Sequence, residues 1–122
     1  MLVLSCLPHT WLIDLDGTVL LHNGHKKGGD VLLPGVLDFW KMLPRADHVI
    51  LMSAREQKYQ KLTLDFLHEA GLWWSCALFG LPLGERIILN DAKPSGLLTS
   101  FAINLDRDAG MKSIKVKFNQ HL

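Results

Sequence analysis

The chain has 122 residues, of which 48% are hydrophobic and 20% charged, a balance that builds a buried core and excludes a disordered chain. Its 13 basic and 12 acidic residues leave a formal charge of +1, too little to neutralise a run of nucleic-acid phosphates, so a small charged ligand suits it better than a nucleic acid. This length reads as one domain, residues 1–122, with a single site.

The opening Met1–Leu7 stretch is apolar but has no basic leader, and Pro8 interrupts it far short of membrane-spanning length, so a cytoplasmic chain with no membrane partner is expected. Cys6 and Cys76 are too few for a disulfide framework or a zinc site and are expected to be buried free thiols. The first strand is Trp11-Leu12-Ile13, ending in Asp14. Residues 19–33 hold Asn23-Gly24 and Gly28-Gly29 between apolar flanks, the pattern of a hairpin flap. His22, His25, Lys26 and Lys27 sit at its polar tip.

Pro34 opens a helix whose buried face is Val36, Phe39, Trp40 and Leu43, and Pro44 closes it. Val49 to Met52 is a second strand, stopping at Ser53. The helix after it has Tyr59, Leu62, Phe66 and Ala70 as its expected inward stripe and Gly71 as its C-terminal cap. Ala77-Leu78-Phe79, Arg86 to Leu89 and Phe101 to Leu105 read as further strands, the second running into Asn90-Asp91. Lys112 to Phe118 alternates lysines with apolar residues and suits a half-exposed edge strand. Strands alternating with helices point to an α/β fold, a Rossmann-like doubly wound parallel sheet, in which ligands bind at the carboxyl ends of the strands. Asp14, Ser53, Asn90 and Asp91 all fall at such ends.

The sharpest element is Asp14-Leu15-Asp16-Gly17-Thr18. Two carboxylates one residue apart face the same side as a strand ends, Leu15 turns inward, and Gly17 lets the backbone leave the sheet. In phosphoryl transfer one carboxylate attacks phosphorus while the other carries the proton. A carboxylate meeting a phosphate dianion needs a cation and hydrogen-bond donors, and magnesium prefers such hard oxygen ligands.

This run is similar to the first motif of the haloacid dehalogenase (HAD) phosphatases, and the resemblance extends from Trp11 to about Leu105. It implies a magnesium-dependent phosphomonoester hydrolase with Asp14 as nucleophile, Asp16 as general acid/base and Thr18 supporting the loop. Ser53 resembles the second-motif hydroxyl that binds the phosphoryl group, with Arg55 beside it as a further substrate-binding candidate whose alternative reading is a solvent-facing or packing residue. Asp91 resembles the fourth-motif acid that completes a magnesium site with Asp14 and Asp16. Where the family carries a lysine, the chain reads Gly80-Leu81-Pro82, and Lys93, before Pro94, is the candidate that supplies the missing charge. The gaps leave room for a flap but no cap domain. A capless, open site implies a bulky substrate or completion by a second subunit of a homo-oligomer. A looser likeness to polysaccharide-biosynthesis phosphatases implies a small phosphorylated carbohydrate, a sugar or polyol phosphate. The rival readings are a receiver-like signalling domain, disfavoured because its acids would be adjacent, and a catalytically silent HAD-like binding module, motivated by Leu81.

Overall fold

The computed structural model describes residues 1–122 and has a mixed α/β fold. Five strands, β1 (Leu2–Leu4), β2 (Thr10–Asp14), β3 (His48–Met52), β4 (Cys76–Leu78) and β5 (Val116–Phe118), accompany two helices, α1 (Val36–Met42) and α2 (Gln60–Glu69). All strand pairs are parallel, in one sheet ordered β2-β3-β4 and a second of β1 with β5. Parallel neighbours require crossovers, and here α1 lies between β2 and β3 and α2 between β3 and β4. The register Asp14↔Met52↔Leu78 brings the three carboxyl ends level, so the residues after each strand emerge at one edge.

Leu15, Val19, Leu20, Val36, Val49, Leu51 and Leu67 are essentially inaccessible and centre a core of 15 buried apolar residues. Trp73 and Trp74 pack against it half-buried, and the Trp40 indole N–H donates to the Trp73 carbonyl at 2.7 Å. On the other side of the sheet edge, Asp47 is buried and accepts from the His9 backbone N–H, from His9 Nδ1 and from the Trp11 indole, joining the β2 start to the turn before β3. Burial alone would raise the Asp47 pKa, but these donors hold it below the ordinary value. No helix is long and apolar enough to cross a membrane.

Several elements differ from the sequence reading. The opening apolar stretch is a strand, β1, because the tail returns beside it: the Leu2 N–H donates to the Lys115 carbonyl and the Asn119 N–H to that of Leu4. In the tail Val116 and Phe118 are half-buried and Lys117 exposed, the alternation expected there. The flap is closed by an antiparallel Leu20↔Leu32 bridge, but its tip winds into a 3-10 turn, Gly24–Lys26, instead of continuing two strands. Helix α1 begins at Val36 behind Gly35, whose φ of 79° precedes the helix, while the Pro34 carbonyl accepts the Met111 N–H from the returning tail.

Along α2 the inward row is Thr63 and Leu67, whereas Leu62 is 66% exposed. The Thr63 hydroxyl receives a buried arginine N–H, and that polar demand turns its row inward. Cys6 and Cys76 are both exposed, not buried: one lies in the bend after β1 and the other faces outward on the edge strand β4. Neither 86–89 nor 101–105 is a strand. Pro82, Gly84, Pro94 and Gly96 break this stretch into short runs, no neighbour pairs with it, and residues 82–96 are all exposed.

Candidate active site at the ends of the parallel strands

The backbone after β2 builds the first half of the site. The Leu15 carbonyl accepts the N–H groups of Thr18, Val19 and Leu20, while the Gly17 N–H reaches the Leu20 carbonyl at 2.7 Å with φ of +82°. This tight turn needs the left-handed conformation that glycine adopts without strain. It buries Leu15 completely and leaves Asp14 and Asp16 on the same open cavity of about 360 Å³. The Thr18 hydroxyl donates to Asp14 Oδ2 at 3.1 Å. The other oxygen, Oδ1, accepts Arg86 Nη1–H at 2.7 Å.

Asp16 is held differently. Its carboxylate takes a two-pronged grip from Arg55, Nε to Oδ2 at 2.9 Å and Nη2 to Oδ1 at 2.8 Å, with a further N–H from Asn23 at 3.3 Å. Arg55 also grips Asp30 through Nη1 at 2.9 Å and Nη2 at 2.7 Å, and donates from Nη1 to the Thr63 hydroxyl at 2.9 Å. A guanidinium has five N–H groups, and all five are engaged. Arg55, expected to bind substrate, is therefore spent inside the protein as the clasp between the strand end, the flap and α2. Burial pushes the Asp16 pKa up, but the hydrogen bonds and charge of Arg55, helped by the Asn23 N–H, outweigh it and leave Asp16 below the ordinary carboxylate value. Arg55 is itself raised: burial opposes its charge and its two carboxylate partners more than compensate. Asp16 thus favours its ionised form, with both oxygens held by Arg55.

Ser53 follows β3 as expected but is 1% exposed, and its Oγ accepts the Arg55 backbone N–H at 3.0 Å, so its hydroxyl shapes the loop beneath the cavity. Asp91 and Lys93 are corrections. Both are exposed and neither lines the cavity; the Asp91 carbonyl accepts the Thr99 hydroxyl and the Lys93 carbonyl the Gly96 N–H. The stretch carrying them does not join the sheet, so the strand end that would have presented them beside Asp14 does not form. The cation on Asp14 is Arg86, not Lys93. The chain has no group of three acidic, histidine or cysteine side chains that could hold a metal ion. Asp14 and Asp16 line the same cavity, with the oxygens of Asp14 on Thr18 and Arg86 and those of Asp16 on Arg55.

No family model, curated protein or solved structure matches the chain. The chemistry of the cavity accordingly rests on its own side chains. His22, His25 and Lys26 from the flap line it, as do Arg86 and Arg107. His25 packs edge-on against Tyr59, its Nδ1 has no partner, and burial first, then the charges of Arg55 and Lys26, lower its pKa against the pull of Asp16 and Asp30. Asp30, Thr63, Arg86 and Arg107 had no local signal: each reads as an ordinary flap, helix, strand or turn residue until the fold brings it in. A larger cavity of about 710 Å³, between α1 and the tail, contains none of these groups.

Proposed function

We propose that the chain is a phosphomonoester hydrolase of HAD type, its sheet the core of a Rossmann-like fold, acting through a covalent phosphate on Asp14. The observation that carries this reading is Asp14 itself: a carboxylate at the end of a parallel strand, one oxygen held by Thr18, the other by Arg86, facing a cavity with several basic residues.

An Asp14 oxygen attacks phosphorus, the bond from phosphorus to the ester oxygen breaks, and the alcohol departs. Water then attacks the same phosphorus, the bond to Asp14 breaks, and inorganic phosphate leaves with the carboxylate regenerated. Thr18 orients the nucleophile, and Arg86 supplies positive charge where the phosphoryl oxygens gather. Asp16 accepts the proton of the attacking water. The departing alkoxide draws its proton from solvent, which the open cavity admits. Magnesium, held by Asp14 and Asp16, would supply further charge against the phosphate dianion. A sugar or polyol phosphate fits a cavity of this size.

A second reading, an anion-binding module without turnover, draws on the fact that both Asp14 oxygens are already engaged. The test is release of phosphate from a panel of phosphate esters with magnesium, run on the wild type and on Asp14→Asn. Turnover that disappears in a folded Asp14→Asn variant supports the hydrolase; no turnover by either protein supports the binding module, and an active Asp14→Asn excludes Asp14 as nucleophile.

A further inference from the structure

We infer that Arg107, with Lys26, forms a second anion subsite, so that the substrate carries two anionic groups, the phosphate ester at Asp14 and a further phosphate or carboxylate at Arg107. This inference rests on the hydrolase reading for the first of those groups only. Arg55 is shared by Asp16 and Asp30, which leave one net negative charge there, Arg86 is paired with Asp14, and Glu56 lies 3.6 Å from Lys58. Lys26 and Arg107 line the same cavity with no carboxylate partner.

Arg107 is also held in place. Its neighbour Asp108 donates its backbone N–H to the Gly17 carbonyl at 2.9 Å, accepts the His22 N–H on Oδ1 at 2.8 Å, and adopts a φ of 65°, unusual for a residue other than glycine. The Arg107 stem crosses directly over Gly17, where a Cβ would lie 3.2 Å from Arg107 Cγ. Gly17 therefore serves twice, permitting the turn that presents Asp14 and Asp16 and leaving room for the arginine above it. A guanidinium fixed at its base, with no donor bonded within the protein, matches a phosphate or carboxylate in two-pronged geometry. Lys26, on the flap, adds a point charge from the same cavity. The cavity, about 360 Å³, accommodates a small molecule bridging the two positions.

Matched substrates test this: glycerol 3-phosphate against 3-phosphoglycerate for a carboxylate, and fructose 6-phosphate against fructose 1,6-bisphosphate for a second phosphate. The wild type is expected to favour the doubly anionic member of at least one pair by roughly ten-fold or more in kcat/KM, through KM, and the pair showing the preference identifies the second group. Arg107→Ala should reduce that preference at least about ten-fold and Arg107→Lys only partly. Lys26→Ala, on an exposed turn where folding is not at risk, should reduce it to a smaller degree. Binding of methylenebisphosphonate to the Asp14→Asn protein, measured by calorimetry with and without Arg107→Ala, gives a readout that needs no turnover. Bisphosphonate binding that depends on Arg107, with no ester hydrolysed, would sustain the subsite and reject the hydrolase. Hydrolysis with equal kcat/KM within both pairs, or a preference that survives both Arg107→Ala and Lys26→Ala, would overturn the subsite and leave the hydrolase standing.

Discussion

Replacing Arg55 with alanine removes the one cation that two carboxylates share. The side chains of Arg55, Asp16 and Asp30 are only 1%, 18% and 5% exposed, so solvent does little to screen them and cannot replace the five lost hydrogen bonds. Breaking a buried ion pair by deleting one partner costs about 3–5 kcal/mol, and the geometry here favours the upper part of that range. For a chain of this length that corresponds to a fall in Tm on the order of 10–20 °C. The pH dependence adds a second arm. In the wild type Asp16 has a folded pKa below its ordinary 3.8, so its stabilisation is present above that value and lost as pH falls through the folded pKa. Without Arg55 only burial remains of the large effects, the folded pKa rises above the unfolded one, and the destabilisation is relieved on acidification. Thermal unfolding of wild type and Arg55→Ala should therefore show a wide gap near pH 7 that narrows near pH 4. A gap of only ~3 °C at neutral pH, or one of constant width, would refute the clasp.

Three further outcomes follow from the site and its surroundings. Arg86→Ala should lower kcat by about 10²–10³ if Arg86 stabilises the transferring phosphoryl group, while Lys93→Ala stays within ~2-fold, and the reverse order in steady-state rates would return the charge to Lys93. Because Asp16 is held ionised, an aryl phosphate should be hydrolysed at least ~10²-fold faster than an alkyl phosphate; equal kcat values would reveal a proton donor in the site. Gly110→Ala combines a φ of +87° with a Cβ only 2.2 Å from the Pro34 carbonyl oxygen and should cost more than ~2 kcal/mol in denaturant unfolding. Gly28→Ala, at φ +99° with nothing within 4 Å, should cost only about 1 kcal/mol.

The parts of the fold that were readable from the residues are those governed by neighbours in sequence. Asp14 ends β2 and Ser53 follows β3 because short apolar runs end there, Leu43 is extended because Pro44 follows it, and Gly71 takes a positive φ after α2. Where a second partner was needed the reading failed. Residues 86–89 and 101–105 have strand-like composition, yet a strand exists only when another backbone receives its hydrogen bonds, and none does. The opening stretch became β1 for the opposite reason, since the tail more than a hundred residues later pairs with it. Along α2 Phe66 packs against the core as its spacing implies, but Leu62 is turned out and Thr63 in, because apolar spacing carries no sign of the hydroxyl that Arg55 needs.

The residues alone determined that a carboxylate pair stands at a strand end, that Leu15 is buried between them and that Gly17 turns the chain, because these depend on backbone geometry over five positions. Only the tertiary structure decided the charges those carboxylates meet. Arg55 lies 39 positions from Asp16 and Arg86 lies 72 from Asp14, separations at which spacing carries no information about contact. Long flexible cations are placed by whatever segment the core brings alongside, and here that exchanged Lys93 for Arg86 and turned Arg55 from a ligand for substrate into the clasp that keeps Asp16 ionised.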